Sequence, residues 1–168
     1  MTFSIGQNVI EIEIRALNLL KKSISKVQFE KAVSYLYKTS GKIIISGIGK
    51  SGHIGSKISS TLSSIGSSSF FLHPSEANHG DLGMIKKEDC MILISNSGES
   101  SELLNLILFC KKINIPIISI TSEEKSTLAK QSSVVLLIPK NVEACPLELA
   151  PTSSTTCTLV IGDALAIT

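Results

Sequence analysis

Five short apolar runs, separated by polar turns and helical segments, constrain what this chain of 168 residues can fold into. Most of the runs are dominated by Ile, Leu and Val, and all are shorter than a typical helix, which indicates strands buried on both faces. They cover residues 42–46, 68–72, 91–95, 116–121 and 134–138. Strands that alternate with helices along a chain normally lie parallel in one sheet. The sequence therefore predicts an α/β fold with a doubly wound parallel sheet.

Helical segments are predicted from apolar residues spaced three or four positions apart. Two such stripes near the N-terminus predict a helix over 7–39 that breaks near 22–25. The polar loop 73–81 is compatible with a short helix after its proline. A single domain is expected from the length, with N-terminal helices in 1–40 and the doubly wound core in 41–168. The remaining helices are predicted over 53–65, 99–113, 126–130 and from 153 to the last residue.

The composition excludes several classes of protein. A net charge of +2 without a basic block gives no support to nucleic-acid binding. No apolar run approaches the roughly 18 residues of a membrane span, and the N-terminal region, with Glu11 and Glu13, lacks the basic start of a signal peptide. The four cysteines form no C-x-x-C pair, so we expect buried or half-buried thiols in a reducing compartment. These features predict a cytoplasmic protein without nucleic-acid or membrane partners.

Ligands of open parallel sheets bind at the carboxyl ends of the strands, around the point where the strand order reverses. In this chain, that rule selects the loops that follow four of the predicted strands. Each loop carries polar residues that a mere connection would not require, so the functional site is predicted at this edge of the sheet. The four loops cover residues 47–52, 73–81, 95–102 and 139–146.

The turn after the third strand is rich in hydroxyl groups and leads into a predicted helix. Free N–H groups and the dipole at a helix N-terminus favour an anion. The alternative is an ordinary cap, with Asn96 or Ser97 as the N-cap and a glutamate three positions later. One cap needs one hydroxyl, whereas the turn supplies Ser95, Ser97, Ser100 and Ser101, which favours a phosphate site. The adjoining Glu99 and Glu102 are unfavourable beside a bound phosphate, and we attribute them to proton transfer on a sugar phosphate.

The turn after the first strand matches G-x-G-x-x-G over residues 47–52. A dinucleotide site would need a carboxylate about 20 residues later, which is missing. A P-loop would need a leading glycine where Ile44 stands. We therefore reject both nucleotide interpretations. A tight strand-to-helix turn explains the glycines, but it does not explain the cation Lys50 within it.

The loop after the second strand carries His73, Glu76, His79 and Asp81. The H-x5-H spacing fits no structural metal site, so neither a metal nor another cofactor is predicted. His79 is more attractive as an acid/base group, because histidine titrates near neutrality. Glu143 follows the fifth strand, where an ordinary solvated carboxylate is the alternative to a functional one.

The four loops together resemble the sugar isomerase (SIS) domain family and, more narrowly, bacterial arabinose 5-phosphate isomerases. The Ser-Asn-Ser-Gly-Glu-Ser turn at 95–100 is similar to the phosphate-binding signature of the domain. The Glu-Ala-Cys-Pro run at 143–146 and the Ala-Pro-Thr-Ser-Ser-Thr-Thr run at 150–156 are much more specific. The matching segments span nearly everything after Gly41.

The resemblance implies a three-layer αβα sandwich with a five-stranded parallel sheet, assembled as a homotetramer with sites shared between subunits. It implies interconversion of D-ribulose 5-phosphate and D-arabinose 5-phosphate through a cis-enediolate, at the entry to the Kdo sugar of lipopolysaccharide. By matching motif position, phosphate would be held by the serines of the turn and the chemistry done by residues of all four loops. The predicted binding residues are Gly49, Ser51, Ser95, Asn96, Ser97 and Ser100, and the predicted catalytic residues are Lys50, His79, Glu102 and Glu143.

The chain departs from the family pattern in two respects. The family normally continues into a pair of CBS domains, and nothing in this sequence resembles them. The family also carries a histidine in a Ser-His-Pro-Gly-Gly-like segment after the final helix, which a chain ending at Thr168 lacks. We therefore expect a truncated isomerase domain that binds substrate and turns it over poorly.

Isomerisation requires a base for a carbon-bound proton, an acid/base group for the oxygens and a cation for the oxyanion. We assign stabilisation of the oxyanion to Lys50 and proton transfer to Glu102 and Glu143, either of which could be the carbon base. His79, or the C-terminal histidine of the family that this chain lacks, would open or orient the sugar. Two alternatives are a sugar-phosphate sensor in a regulator and an isomerase for another sugar such as sedoheptulose 7-phosphate. Regulators of this type carry a helix-turn-helix domain, for which the first forty residues are too short and too acidic.

Overall fold

A computed structural model describes residues 2–140, 143–147 and 149–168 of the chain. Asn141 and Val142, which belong to the predicted loop after the fifth strand, lie outside the described residues. The five strands are β1 (Ile43–Gly47), β2 (Ser69–Phe71), β3 (Cys90–Ile94), β4 (Ile117–Thr121) and β5 (Val134–Leu137). The α-helices are α1 (Thr2–Ser23), α2 (Lys26–Lys38), α3 (Lys50–Ser64), α4 (Pro74–Asn78), α5 (Leu104–Ile113), α6 (Thr127–Gln131) and α7 (Ser153–Ile167).

All strand pairs are parallel, and the order across the sheet is β2-β1-β3-β4-β5. The predicted α/β class, with a five-stranded parallel sheet, is thus confirmed. Every residue of β1, β3 and β4 is buried, as the apolar runs predicted for a sheet covered on both faces. The chain reverses its direction across the sheet between β1 and β3, so the loops after these two strands flank the crevice where ligands bind in such sheets.

Helices cover both faces of the sheet and form a three-layer αβα sandwich. On one face, α1, α2, α3 and α7 bury residues such as Leu20, Ile58 and Ile161 against the strands. On the other, α4, α5 and α6 bury Ala77, Leu106 and Leu128. The predicted burial of the thiols is confirmed, since three of the four cysteines are buried and Cys145 is half-buried. In the part of the chain described, no helix has the length and apolar character needed to cross a bilayer.

Several predicted helix boundaries were wrong. The first helix begins at Thr2, five residues before the predicted start at residue 7, and α3 begins at Lys50 instead of His53 because Gly49 turns the chain directly into the helix. The helix predicted from Glu99 begins as a 3-10 turn at Ser101–Leu103, and the α-helix starts only at Leu104. Neither Asn96 nor Ser97 is therefore a helix cap, and only Glu102 of the two carboxylates lies on the first turn.

Candidate active site

A cleft of about 220 Å³ lies at the carboxyl ends of β1 and β3, between the starts of α3 and α7. The residues that line it come from three loops far apart in sequence, which the reversal of strand order brings together. Its wall combines a cation, several hydroxyl groups and an apolar side. The lining residues are Ile48, Lys50, Ser51, Ile54, Asn96, Pro151, Ser154, Thr155 and Thr158.

The glycine-rich turn places Lys50 at the cleft. Gly49 has a φ of +58° and precedes the helix, so Lys50 is the first residue of α3 and its side chain is exposed. A Cβ at Gly52 would lie 2.7 Å from the carbonyl oxygen of Gly47, so a glycine is required where the helix packs on the strand end. The tight-turn interpretation is correct for the glycines. The turn alone does not account for the cation, and Lys50 lines the cleft.

The serine-rich turn is held together by its own hydroxyl groups. The Ser95 and Ser100 Oγ atoms are 2.9 Å apart, and Ser95 Oγ also accepts the N–H of Gly98 at 3.1 Å. Ser97 Oγ accepts the N–H of Glu99 at 3.3 Å. Asn96 is the residue of this turn that lines the cleft. Ser95 and Ser100 thus form a hydroxyl pair in the same turn as Asn96, and Ser97 lies between them in sequence.

The end of β4 and the loop after it hold this turn through hydrogen bonds. The Asn96 carbonyl oxygen accepts hydrogen bonds from Thr121 Oγ1 at 3.0 Å and from the N–H and Oγ of Ser122 at 3.0 and 2.9 Å. Gly98 packs directly on Ser126 and Thr121 with a φ of +67°. Three donors on one carbonyl therefore hold the peptide that follows Asn96 in place.

The two carboxylates of this region have different surroundings. Glu99 is exposed, and its Oε1 accepts the N–H of Thr127 at 2.8 Å, which ties the turn to the first residue of α6. This bond from Thr127 lowers the pKa of Glu99 below its ordinary value. Glu102 is half-buried on the 3-10 turn, where its Oε2 accepts the Ser101 hydroxyl at 3.3 Å. Glu99 thus has a structural partner across the loop, whereas Glu102 bonds only locally among the described residues.

Glu143 lies at the N-terminus of α7. Its Oε2 accepts the N–H of Thr152 at 2.6 Å and the Thr152 hydroxyl at 3.0 Å, and the N–H of Ser154 approaches Oε1 at 3.3 Å. Burial raises the pKa of this carboxyl, but hydrogen bonds from Ser154 and Thr152 outweigh burial and leave the pKa lower than usual. Glu143 is therefore a carboxylate at neutral pH. It is bound directly to Ser154, a residue of the cleft wall.

His79 is exposed at the end of α4, in the helix layer opposite to α3 and α7. The neighbouring Asn78 accepts a hydrogen bond from the Asn105 side chain at 2.9 Å, which joins α4 to α5. Of the predicted site residues, Lys50, Ser51 and Asn96 are among the described residues that line the cleft, whereas the others are not: Gly49, His79, Ser95, Ser97, Ser100, Glu102 and Glu143. The same described part of the chain contains no group of three His, Cys, Asp or Glu side chains arranged to hold a metal ion.

Within one chain, the structure thus brings Lys50, Ser51 and Asn96 to a common cleft and Glu143 to its edge. Sequence reasoning missed the contribution of α7, whose first turns supply Ser154, Thr155 and Thr158 to the wall. A usable signal was present, because five consecutive Ser and Thr residues at 152–156 are far more hydroxyls than a helix start needs.

Comparison with known proteins gives consistent results. The family model of the SIS domain matches residues 35–168. The arabinose 5-phosphate isomerase KdsD of Francisella tularensis is 54% identical over 159 residues, which cover 93% of this chain and 48% of that protein. The chain spans about half the length of the curated relatives it matches.

Two solved structures match this chain over nearly its whole length and over most of their own length. An Escherichia coli CFT073 protein in complex with arabinose 5-phosphate is 39% identical, with a TM-score of 0.94 over 99% of this chain and 88% of that chain. A sugar-phosphate isomerase described as putative, from Listeria monocytogenes, is 31% identical, with a TM-score of 0.95 over 99% and 87% of the two chains.

Proposed function

Because the chain belongs to the SIS domain family, we propose that it is an aldose–ketose isomerase domain that interconverts D-ribulose 5-phosphate and D-arabinose 5-phosphate. The observation that carries this proposal is the cleft, where a lysine, a hydroxyl-rich turn and a carboxylate meet at the edge of the sheet. The relatives named arabinose 5-phosphate isomerase and the structure that contains arabinose 5-phosphate support the choice of sugar. The product would serve Kdo and lipopolysaccharide synthesis in the cytoplasm.

Binding begins, in this proposal, with the phosphate group of the sugar at the hydroxyls of Ser95, Ser97 and Ser100. The Oγ atoms of Ser95 and Ser100 are 2.9 Å apart, so both hydroxyls can donate hydrogen bonds to the oxygen atoms of one phosphate group. Asn96 and Ser51 line the cleft next to this turn and would contact the sugar. Gly49 precedes α3 with a positive φ and has no side chain, which leaves room for the ligand beside the N–H groups of the helix.

The reaction would move one proton between carbons and one between oxygens. A carboxylate removes the C1 proton of the ketose, and the electron pair passes to the carbonyl oxygen at C2, which gives a cis-enediolate. Lys50 stabilises this oxyanion. Return of a proton to C2, with transfer of the O1 proton to O2, yields the aldose. Glu143 is the favoured carbon base because it is ionised and touches the cleft wall.

Glu102 and His79 complete the proposed set as a second proton carrier and a group that opens or orients the sugar. Both lie outside the cleft of a single chain. A site shared between subunits, as the family resemblance implies, would bring them to the substrate from a neighbouring copy. The proposal for these two residues therefore depends on assembly.

The purified chain is expected to convert ribulose 5-phosphate slowly into arabinose 5-phosphate and, in D2O, to leave deuterium at C2 of the product. The assay is a panel of pentose and heptose phosphates followed by NMR. Turnover of sedoheptulose 7-phosphate alone would show that the heptose phosphate is the substrate. Conversion without any deuterium would show that the hydrogen passes directly from C1 to C2, either as a hydride or on a single base shielded from water. Tight binding of a sugar phosphate without turnover would instead support a sensor module.

A homotetramer is the assembly that we propose. The outer face of α1 carries large apolar side chains that no described residue covers, with Phe3 78% and Ile10 62% exposed. Such a face is typical of a subunit contact. Light scattering is expected to give four times the 17.9 kDa of one chain, and Ile10→Asp with Ile14→Asp should lower that mass. Tyr37→Ser, at a still more exposed position on α2, is the control; a monomeric parent protein would contradict the proposal.

A further inference from the structure

Thr152 has an unusual hydrogen-bonding pattern for the residue that precedes a helix. An N-cap threonine normally accepts an N–H of the first helical turn with its own side chain. Thr152 precedes α7 but makes no such bond. The Glu143 carboxylate receives the N–H of Ser154 instead, at 3.3 Å from Oε1 and 3.4 Å from Oε2. The helix is therefore capped by Glu143, and the Thr152 hydroxyl is left for another use.

That hydroxyl joins two parts of the loop at once. It donates to Glu143 Oε2 at 3.0 Å and accepts the N–H of Ala144 at 2.8 Å. One proton and two lone pairs allow a hydroxyl to do both simultaneously. The backbone N–H of Thr152 donates to the same Oε2 at 2.6 Å. Thr152 therefore holds both the Glu143 side chain and the backbone directly after it.

We propose that Thr152 is a positioning residue of the isomerisation, which orients the Glu143 carboxylate toward the cleft; this inference rests on the function proposed above. Its two donors bind Oε2. Ser154 also holds the carboxylate, through its side chain and its N–H, and we assign the substrate proton to Oε1, the oxygen that Thr152 does not bind. Neither Thr152 nor Glu143 is among the described residues that line the cleft, but Glu143 is hydrogen-bonded to Ser154, which does line it. In this proposal Thr152 acts through Glu143 and not on the sugar itself.

The inference is supported by the surroundings of the carboxylate. Burial and the hydrogen bonds from Ser154 and Thr152 account for the shift in the pKa of Glu143, and no charged side chain of the described residues contributes to it. Loss of the Thr152 hydroxyl removes a bond to the ionised form. The pKa of Glu143 should then rise, and the acid limb of the rate profile should move to higher pH.

The test is Thr152→Val, which deletes the hydroxyl and keeps the β-branched shape. We expect kcat to fall about 10- to 100-fold, because small misplacement of a catalytic group has this effect, while KM changes less than about threefold. The apparent pKa of the acid limb in the pH profile of kcat should increase by up to about one unit. Thr152→Ser, which keeps the hydroxyl, should restore both quantities to near the parent values.

The matched control is Thr156→Val. Thr156 lies on the same helix and also donates to a carboxylate, Glu13 Oε2, at 2.9 Å, but it does not contact Glu143. We expect a modest loss of thermal stability with kcat and the acid limb unchanged. If this control lost kcat as Thr152→Val does, or if Thr152→Val kept both parent values, the positioning role would be overturned.

A second measurement separates this inference from the proposed function. The carboxyl carbon of Glu143 can be titrated by NMR in the parent protein and in Thr152→Val, whether or not the chain isomerises a pentose phosphate. A higher pKa in the variant supports the positioning role on its own, and an identical titration overturns it. Absence of turnover in the parent protein, in contrast, would count against the proposed function.

Discussion

Lys50→Ala is expected to lower the rate of isomerisation about 10²- to 10³-fold, the usual effect of removing one group that stabilises an oxyanion, while sugar phosphate still binds. Lys50 is the first residue of α3, is exposed to the cleft and has no salt-bridge partner among the described residues. Its removal therefore costs little folding free energy. The phosphate contacts proposed for the serine-rich turn remain intact, so binding should weaken far less than turnover.

The measurements are kcat for ribulose 5-phosphate and the dissociation constant of arabinose 5-phosphate by calorimetry. Lys87→Ala is a suitable control, because it makes the same change of charge at an exposed position that precedes β3, away from the carboxyl ends of the strands. That variant should keep the parent rate. An unchanged rate in Lys50→Ala would remove this lysine from the mechanism, and an equal loss of rate and binding would make it a phosphate ligand instead.

Gly98→Ala is expected to destabilise the fold by about 2–4 kcal/mol, from the positive φ and from overpacking, and to weaken sugar phosphate binding at least tenfold. The φ of Gly98 is +67°, and a Cβ there would overlap the Ser126 side chain and lie 3.1 Å from Thr121 Oγ1. Ser126 caps α6 and Thr121 ends β4, so neither can move freely. The turn itself must shift, together with the Ser95 hydroxyl that Gly98 contacts.

Gly66→Ala provides the matched comparison. Its φ is +94°, but nothing lies within 4 Å of the added Cβ. It should therefore cost only the conformational strain, about 1–2 kcal/mol, and leave ligand affinity unchanged. Urea unfolding and calorimetry measure the two quantities. If both variants lost stability equally and Gly98→Ala kept its affinity, the turn would not be the phosphate site.

The sheet was predictable because its strands are short runs of apolar residues, although only β1, β3 and β4 are buried at every residue, and β2 and β5 are partly exposed. Residues 91–95 and 134–138 could hardly form anything else between two helices. Helix boundaries were less predictable. The start of α3 depends on the backbone of Gly49, and the 3-10 turn at Ser101–Leu103 has a composition equally suited to an α-helix. Local composition indicates the type of element more strongly than its first residue.

The site was predictable where the strand-end rule applies, and less so where tertiary contacts decide. Lys50, Ser51 and Asn96 meet because they follow neighbouring strands. The contact between Glu143 and Thr152 depends on how the long loop after β5 returns to the start of α7. Spacing in the sequence does not encode this return, so the contact between Glu143 and Thr152 emerged only from the structure.

The bond between Ser95 and Ser100 has a thermodynamic consequence for the proposed ligand. In the free protein the two hydroxyls satisfy each other, and three donors already fix the Asn96 carbonyl. A phosphate group would therefore exchange hydrogen-bond partners in a loop that is already ordered, and it would not have to order that loop. Since ordering costs about 1–2 kcal/mol per residue, a six-residue turn that skips this step retains most of its interaction energy as affinity.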